Sequence, residues 1–457
     1  MPARGVSAIR RRRVGLLAGL RPDRSPEDVC PHAERIEHRP ASRLANCTVN
    51  SGGGEMRATV RSSDAVQRFE GVRRSNLAVV ARIIDRLGVA SQTAIVNETG
   101  LANGVAAGIL AQLREIGFTA PASSELTGSA GRPRRGVRVA REFAFAVGVE
   151  LGVESVALRI CGMDGSELAT SYERQTRAVG ESPRAMALDV FARYNELVRS
   201  SGLPDVPVSM AISVPGLVSA QHLRVLPFGW TDGSIEDFVR AAPLSVRHLI
   251  VINDGDAAVV AEAALRPDLE CVAAMYGSDG VGGGISLHGR LFSGARGAAG
   301  QFGHIIVEQN GRACYCGNNG CIRQYISTSA FAQDLDEREL LDSLGFRGYA
   351  RDMAQRAADG DDKVLRVLAG ARVRLAQVVG ILGAALSPDV VVLTGNLAPL
   401  APWLESSPTS RVTAGEYRAQ WARPVVGSDL GQDSAIHGAA LVARDEILSD
   451  PIAFVAA

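Results

Sequence analysis

Lysine is almost missing from this chain: Lys363 is the single one, so nearly every basic residue is an arginine. A bias spread along all 457 residues reflects coding-sequence composition more than selection for bidentate contacts, and it carries no functional weight. Net charge is lacking too, but the balance hides an uneven distribution. The first 75 residues hold a clear excess of arginine over acids, and the rest leans slightly acidic. Long apolar runs are short, the best being residues 375–386 with Gln377 inside, which falls below the ~20 residues of a membrane span, so no span is expected. Arginines at 10–13 precede a short apolar stretch with no small-residue cleavage site behind it, which argues against a secretory leader and for a reducing, cytoplasmic setting. No disulfide framework is visible either, since Cys30, Cys47, Cys161 and Cys271 are scattered. What remains is the composition of an ordinary globular chain with room for two or three domains.

Against that sparse background, the other three cysteines crowd into one loop. His304, Cys314, Cys316 and Cys321 fall within eighteen residues, with Gly317, Asn318, Asn319 and Gly320 between the last two cysteines. One imidazole and three thiolates suit the tetrahedral, borderline-soft preference of Zn2+, and the Gly and Asn residues allow the sharp turn that convergence requires. A site closed by four protein ligands is structural. A disulfide or a set of unrelated buried thiols is the alternative, although a C-x-C pair is too close for easy mutual bridging.

Residues 1–72 are rich in Arg, Ser, Gly and Pro without sustained periodicity, which predicts a disordered extension. The run SGGG at 51–54 before Met56 also permits translation to begin there. From Asn76 a helical period appears in Leu77, Val80, Ile83, Ile84 and Leu87, stopped by Gly88. Ser91 is placed to cap a second helix through Val96, and Asn103 to cap a third carrying Val105, Ile109, Leu110 and Leu113. Three helices with a Gly-containing turn, followed by a Gly/Pro/Arg stretch and alternating Val137 and Val139, read as a winged helix-turn-helix and linker over 73–140. A plain three-helix bundle fits the same pattern. On the first reading, Asn103, Gln112 and Arg114 belong to the recognition helix, while Arg132, Arg134 and Arg135 are candidates for the minor groove.

From Phe143 apolar strands alternate with helices, which predicts an α/β fold over 141–457, in two lobes with a cleft between them. The strand ending in Asn253-Asp254 presents a carboxylate at a sheet's carboxyl edge, as a base, as a sugar-hydroxyl acceptor, or as a helix N-cap. The glycines of 277–284 permit a close approach by a phosphate or diol, or simply make a flexible turn. His304 directly follows the second Gly-rich stretch, so it can bind a metal through one nitrogen and face a ligand with the other.

The set Val214-Pro215-Gly216, Asn253-Asp254, the glycine hairpin, Gly303-His304 and C-x-C-G-x-x-G-C resembles the ROK family of sugar kinases and sugar-responsive repressors, over roughly residues 76–445. The resemblance implies an actin-like, two-lobed ATPase fold of ribonuclease H-like type, a structural zinc, a sugar in the cleft held by Asn253, Asp254 and His304, and a homodimer or homotetramer. An N-terminal winged helix resembles the repressor branch. Some positions depart from the kinase pattern. Glu150, Gly152 and Glu154 stand in place of an Asp-x-Gly-x-Thr phosphate loop, so ATP phosphate should be repelled. Gln301 and Arg323 replace two sugar-binding acids, and the charge change at Arg323 predicts preference for an anionic sugar.

These features together predict a DNA-binding regulator, of repressor type, whose operator affinity responds to a small carbohydrate or sugar phosphate and which controls carbohydrate uptake or catabolism. The alternative is a sugar kinase with Asp254 as base.

Overall fold

The computed structural model describes residues 64–123, 135–175, 180–219, 222–405 and 423–455. The segment before residue 64, Arg132, Arg134 and the side chain of Arg135 lie outside the described residues.

Helix α1 (Asp64–Leu87) begins well before Asn76, inside the stretch expected to be disordered. Residues 71–75 are exposed, so this stretch of the helix buries no apolar side chain and left no periodic trace. The expected face does bury Leu77, Val80, Ile83 and Ile84, while Leu87 stays exposed. Ser91 caps α2 (Gln92–Thr99), its hydroxyl accepting the Ala94 N–H at 3.1 Å, and Gly100 ends that helix in left-handed conformation. Asn103 does not cap α3 (Asn103–Glu115). It is the first helical residue, and Ala102 holds the cap position without a side-chain bond. Val105, expected on the buried face, is exposed, and Ala106 is buried instead.

Strands β1 (Thr119–Ser123) and β2 (Arg135–Val139) form an antiparallel pair, and Ala90 adds a bridge to Val137. Three helices and this two-stranded ribbon follow one another in the order expected of a winged helix-turn-helix. Phe118 meets Phe143 edge-on at 5.2 Å, and its apolar cluster continues through Ala144, Ala146 and Cys161 to Ala439 and Ala443, so no free linker follows the wing.

The first lobe is a meander of β3 (Phe145–Leu151), β4 (Ser155–Cys161) and β5 (Glu167–Arg174), crossed by α4 (Pro183–Ser200) to β6 (Val208–Val214), which runs parallel to β3. A small sheet of β7 (Leu217–Val218), β8 (His222–Val225) and β9 (Trp230–Ser234) and helix α5 (Glu236–Ala241) lead to β10 (Val246–Asn253), parallel to β6. The order is β10-β6-β3-β4-β5. Every residue of β6 is buried, as a strand covered on both faces requires.

After α6 (Asp254–Ala264), the second lobe repeats the scheme. β11 (Cys271–Gly277), β12 (Val281–Leu287) and β13 (Arg290–Leu291) form a meander. Helices α7 (Arg323–Ile326), α8 (Thr328–Leu335), α9 (Arg338–Ala358) and α10 (Asp362–Ala385) precede β14 (Val390–Gly395), which is parallel to β11. Then come α11 (Ala401–Leu404), β15 (Val425–Gly427) and α12 (Ser434–Ser449). The order β13-β12-β11-β14-β15 has the same connectivity and the same senses as the first sheet. Two ribonuclease H-like sheets in tandem constitute the expected α/β, actin-like architecture. Helices α6 and α12 pack together between them, and a Cβ on Gly438 would overlap the Ala257 carbonyl, so only glycine permits that approach.

By length and composition α10 is apolar enough to cross a membrane, contrary to the expectation from short apolar runs. Its Val364, Leu368, Leu375, Val378 and Leu382 are buried in the core of the second lobe, and Arg366 and Arg372 lie on its exposed side.

Candidate metal centre and interlobe cleft

The short 302–304 turn presents His304, because Gly303 lies directly on the Val281 carbonyl of β12 and Phe302 is buried beneath. The cysteine loop folds back on it through bridges between Ile306 and Cys321 and between Ala313 and Asn319. Gly320 is left-handed (φ 77°), and a side chain there would collide with the Glu308 carbonyl. His304 Nδ1 is 3.6 Å from Cys314 Sγ, Cys316 Sγ is 3.6 Å from Cys321 Sγ, and all four ligand atoms lie within 4.8 Å of one another. A tetrahedral ion with metal–sulfur bonds of ~2.3 Å needs neighbouring ligands about 3.7 Å apart, so the donor set fits a metal ion. Burial and the Arg323 charge lower the His304 pKa, which keeps the imidazole neutral, as a ligand must be. Its other nitrogen, Nε2, faces the Tyr315 hydroxyl at 3.4 Å, where a sugar oxygen was expected.

Asn253 proves to be the N-cap of α6, the role considered for Asp254. Its Oδ1 accepts from Gly255 N (2.9 Å) and Asp256 N (3.1 Å), while its Nδ2 donates to the Gly216 carbonyl (2.7 Å) and to Asp254 Oδ1 (3.0 Å). The side-chain amide is therefore occupied within the chain. Asp254 opens into a cavity beside Ser213, Pro215, Ser278 and Asp279. Burial drives its pKa up to about 8; the Gly255 N–H pulls down in part, and the charges of Asp279 and Glu150 push the same way as burial. Asp256, two residues on, is raised to about 7 by burial.

The cavity continues into a cleft between the lobes, which Glu150, Gly152 and Glu154 line from the first lobe and Tyr276, Arg347 and Gln432 from the second. Glu150 accepts the Tyr276 hydroxyl at 2.8 Å, and burial raises its pKa even so. Three carboxylates, Glu150, Glu154 and Asp279, line this cleft against one cation, Arg347, which pairs with Asp433 and lies over the Tyr172 ring. Such a surface disfavours a polyphosphate.

The glycine hairpin is explained mainly by packing. A Cβ on Gly283 would strike the Phe302 ring, and one on Gly284 would strike the Gly255 carbonyl; only Gly282 looks toward Asp254. Gly280 makes room for Arg323, whose guanidinium stacks on Tyr315 at 4.3 Å and lies 3.8 Å from Asp279. Arg323 is 13% exposed, and Asp279 offsets part of its charge within the chain. Gln301 sits half-buried one turn before His304, whose N–H it accepts through its carbonyl. Asp254 lines the cavity, whereas His304 and Arg323 lie against Tyr315 at the cysteine loop; Arg347, Gln432, Tyr172 and Tyr276 of the cleft were missed, because nothing local distinguishes them.

On the winged helix, Asn103 and Arg114 are exposed on α3 beside Gly104, Ala107, Gly108 and Ala111. Gln112 is engaged instead, its Oε1 accepting from Arg73 at 2.9 and 3.1 Å. The wing arginines 132, 134 and 135 have no described side chains.

The sequence profile of the ROK family matches residues 146–446. An N-acetylmannosamine kinase of Yersinia pestis is 31% identical over 249 residues, which is 52% of this chain and 80% of that protein. A ROK family transcriptional regulator described as a homologue of an Escherichia coli MLC protein superposes with a TM-score of 0.65 at 22% identity, over 84% of this chain and 98% of its own. A Streptomyces griseus ROK glucokinase, solved with glucose and AMPPNP, superposes with a TM-score of 0.53 at 21% identity, over 66% of this chain and 99% of its own. With two repeated sheets, a His/Cys3 loop and a matching profile over most of its length, the chain belongs to the ROK family.

Proposed function

We propose that this protein is a DNA-binding transcriptional regulator, of the repressor type, that responds to a small carbohydrate and governs genes of carbohydrate metabolism. The observation that carries this reading is the winged helix-turn-helix, whose α1 is fastened to the family domain by bidentate pairs between Arg82 and Asp445 and between Arg444 and Asp85. A helix-turn-helix places its second helix in the major groove, and here α3 offers a face of small residues bounded by Asn103 and Arg114. The acid-lined cleft supports the same reading over phosphoryl transfer from ATP. The ligand is a neutral carbohydrate, because Asp254 retains its place and Arg323 spends its charge on Asp279. The His304, Cys314, Cys316 and Cys321 group holds a structural zinc, which braces the loop carrying His304 and takes no part in chemistry. A homo-oligomer, a dimer at least, would set two recognition helices about one helical turn of DNA apart.

Selection of bound duplexes from a random-sequence library by the full chain tests the reading. Enrichment of a two-fold symmetric motif bound at least ~10³ times tighter than bulk duplex is expected. Absence of any enriched motif, together with steady ADP production from ATP and a hexose, would establish the kinase instead.

A further inference from the structure

Helix α9 is interrupted at Gly345, whose φ of 71° and ψ of 168° leave the helical region. That break faces the first lobe. Glu154, in the β3–β4 turn, accepts the Phe346 N–H through Oε1. Arg174, the last residue of β5, donates one Nη to the Ser343 carbonyl at 2.6 Å and the other to the Asp342 carbonyl, and approaches Glu154 Oε2 at 3.5 Å. A Cβ on Gly345 would collide with the Glu154 carboxylate and lie 2.7 Å from Arg174 Nε, so the helix opens where the ion pair enters it. One carboxylate and one guanidinium of the first lobe therefore satisfy the donor and acceptors that a broken helix in the second lobe leaves unpaired.

We propose that Glu154 and Arg174 are specificity-determining residues of the cleft: they close its end over the β3–β4 turn from within the chain and thereby admit a polyol at Asp254 while excluding a nucleotide polyphosphate. The exclusion is steric and electrostatic. Glu154 lines the cleft itself, 21% exposed and anchored to the Phe346 amide, so a phosphate arriving at this turn meets a fixed negative charge. Arg174 pairs with that carboxylate at 3.5 Å while its guanidinium donates to the Ser343 and Asp342 carbonyls, so neither group is free to receive a phosphate. The pair also joins the two lobes directly at this turn. This inference concerns the family domain alone and survives even if no operator is found.

The experiment combines two measurements on the full chain. Hydrogen exchange of peptides covering residues 342–350 is compared in the wild type, Glu154→Thr and Arg174→Ala, and Mg-ADP and AMPPNP binding is followed by calorimetry at ligand concentrations up to about 1 mM. Exchange at least ~10-fold faster over 342–350 in both variants is expected, with β3 and β11 unchanged and no nucleotide binding by the wild type. Unaltered exchange in either variant overturns the closure, and wild-type nucleotide binding tighter than about 100 µM overturns the exclusion. A general loss of protection in β3 and β11 would show misfolding of a variant; Glu154→Gln, which keeps an acceptor for Phe346, then replaces it, and exchange as slow as wild type with nucleotide binding regained counts in favour, while no regain counts against.

Discussion

Asp254 is a carboxyl group held where its charged form is disfavoured. Its pKa in the fold, about 8, is above the usual 3.8, so the folded state binds the proton more tightly than the unfolded chain does. Stability from this group is full below pH ~4 and is lost as pH rises toward 8. Asp254→Asn should therefore raise the melting temperature by several degrees near pH 8 and by little near pH 5, a difference that thermal scans across pH would register. The same substitution should abolish any calorimetric response to sugar while leaving DNA binding intact. At the metal loop, Cys316→Ser removes one of four donors. Loss of most bound zinc by elemental assay is expected, together with a fall in melting temperature and faster exchange around His304. Unchanged metal content would refute the assignment of that residue. Both sites were legible as residue types: a strand ending in Asn-Asp, and sulfur packed into a short loop. Their partners were not. Glu150 finds Tyr276, and Arg323 finds Asp279, across separations that no local pattern encodes.

Among the elements, α12 touches most of what matters. Its first turn follows Gln432, which bonds Asn396 and the Arg347 carbonyl at the cleft, and its middle lies against α6 and β3. Its last turns hold Arg444, which grips Asp85 of α1 and the Met163 carbonyl. Gly438→Ala would force α12 away from Ala257, at a cost of roughly 1–3 kcal/mol, and equilibrium denaturation would show it. Arg444→Gln leaves Asp85, 20% exposed, without its partner, which should cost about 1–2 kcal/mol and loosen α1 in hydrogen exchange. A variant as stable as wild type, with α1 equally protected, would mean that apolar packing and the Arg82–Asp445 pair hold α1 without it. The length of α1 shows why element boundaries escaped the pattern: where a helix has no buried face, its periodicity carries no information.

On the scale of the whole molecule, the arrangement predicts how binding to DNA should respond to conditions. Arg114→Ala should weaken binding to a selected duplex and flatten its salt dependence by about one unit of slope, if Arg114 meets a phosphate. Gln112→Ala should matter less, because Arg73 already occupies its oxygen. Fluorescence anisotropy over a salt series measures both.

Alternation of apolar strands and helices was enough to announce an α/β chain in two lobes, and four soft donors in one loop announced a group that could hold a metal. Both depend on local spacing, which a sequence displays directly. Only the tertiary structure decided that Asn253 is used up as a helix cap, that Arg323 lies beside Asp279, and that Glu154 and Arg174 close on a broken helix of the other lobe. Each of those outcomes depends on which groups lie within hydrogen-bonding or Coulombic reach in space, and that reach is set by how two sheets and the helices between them pack, not by distance along the chain.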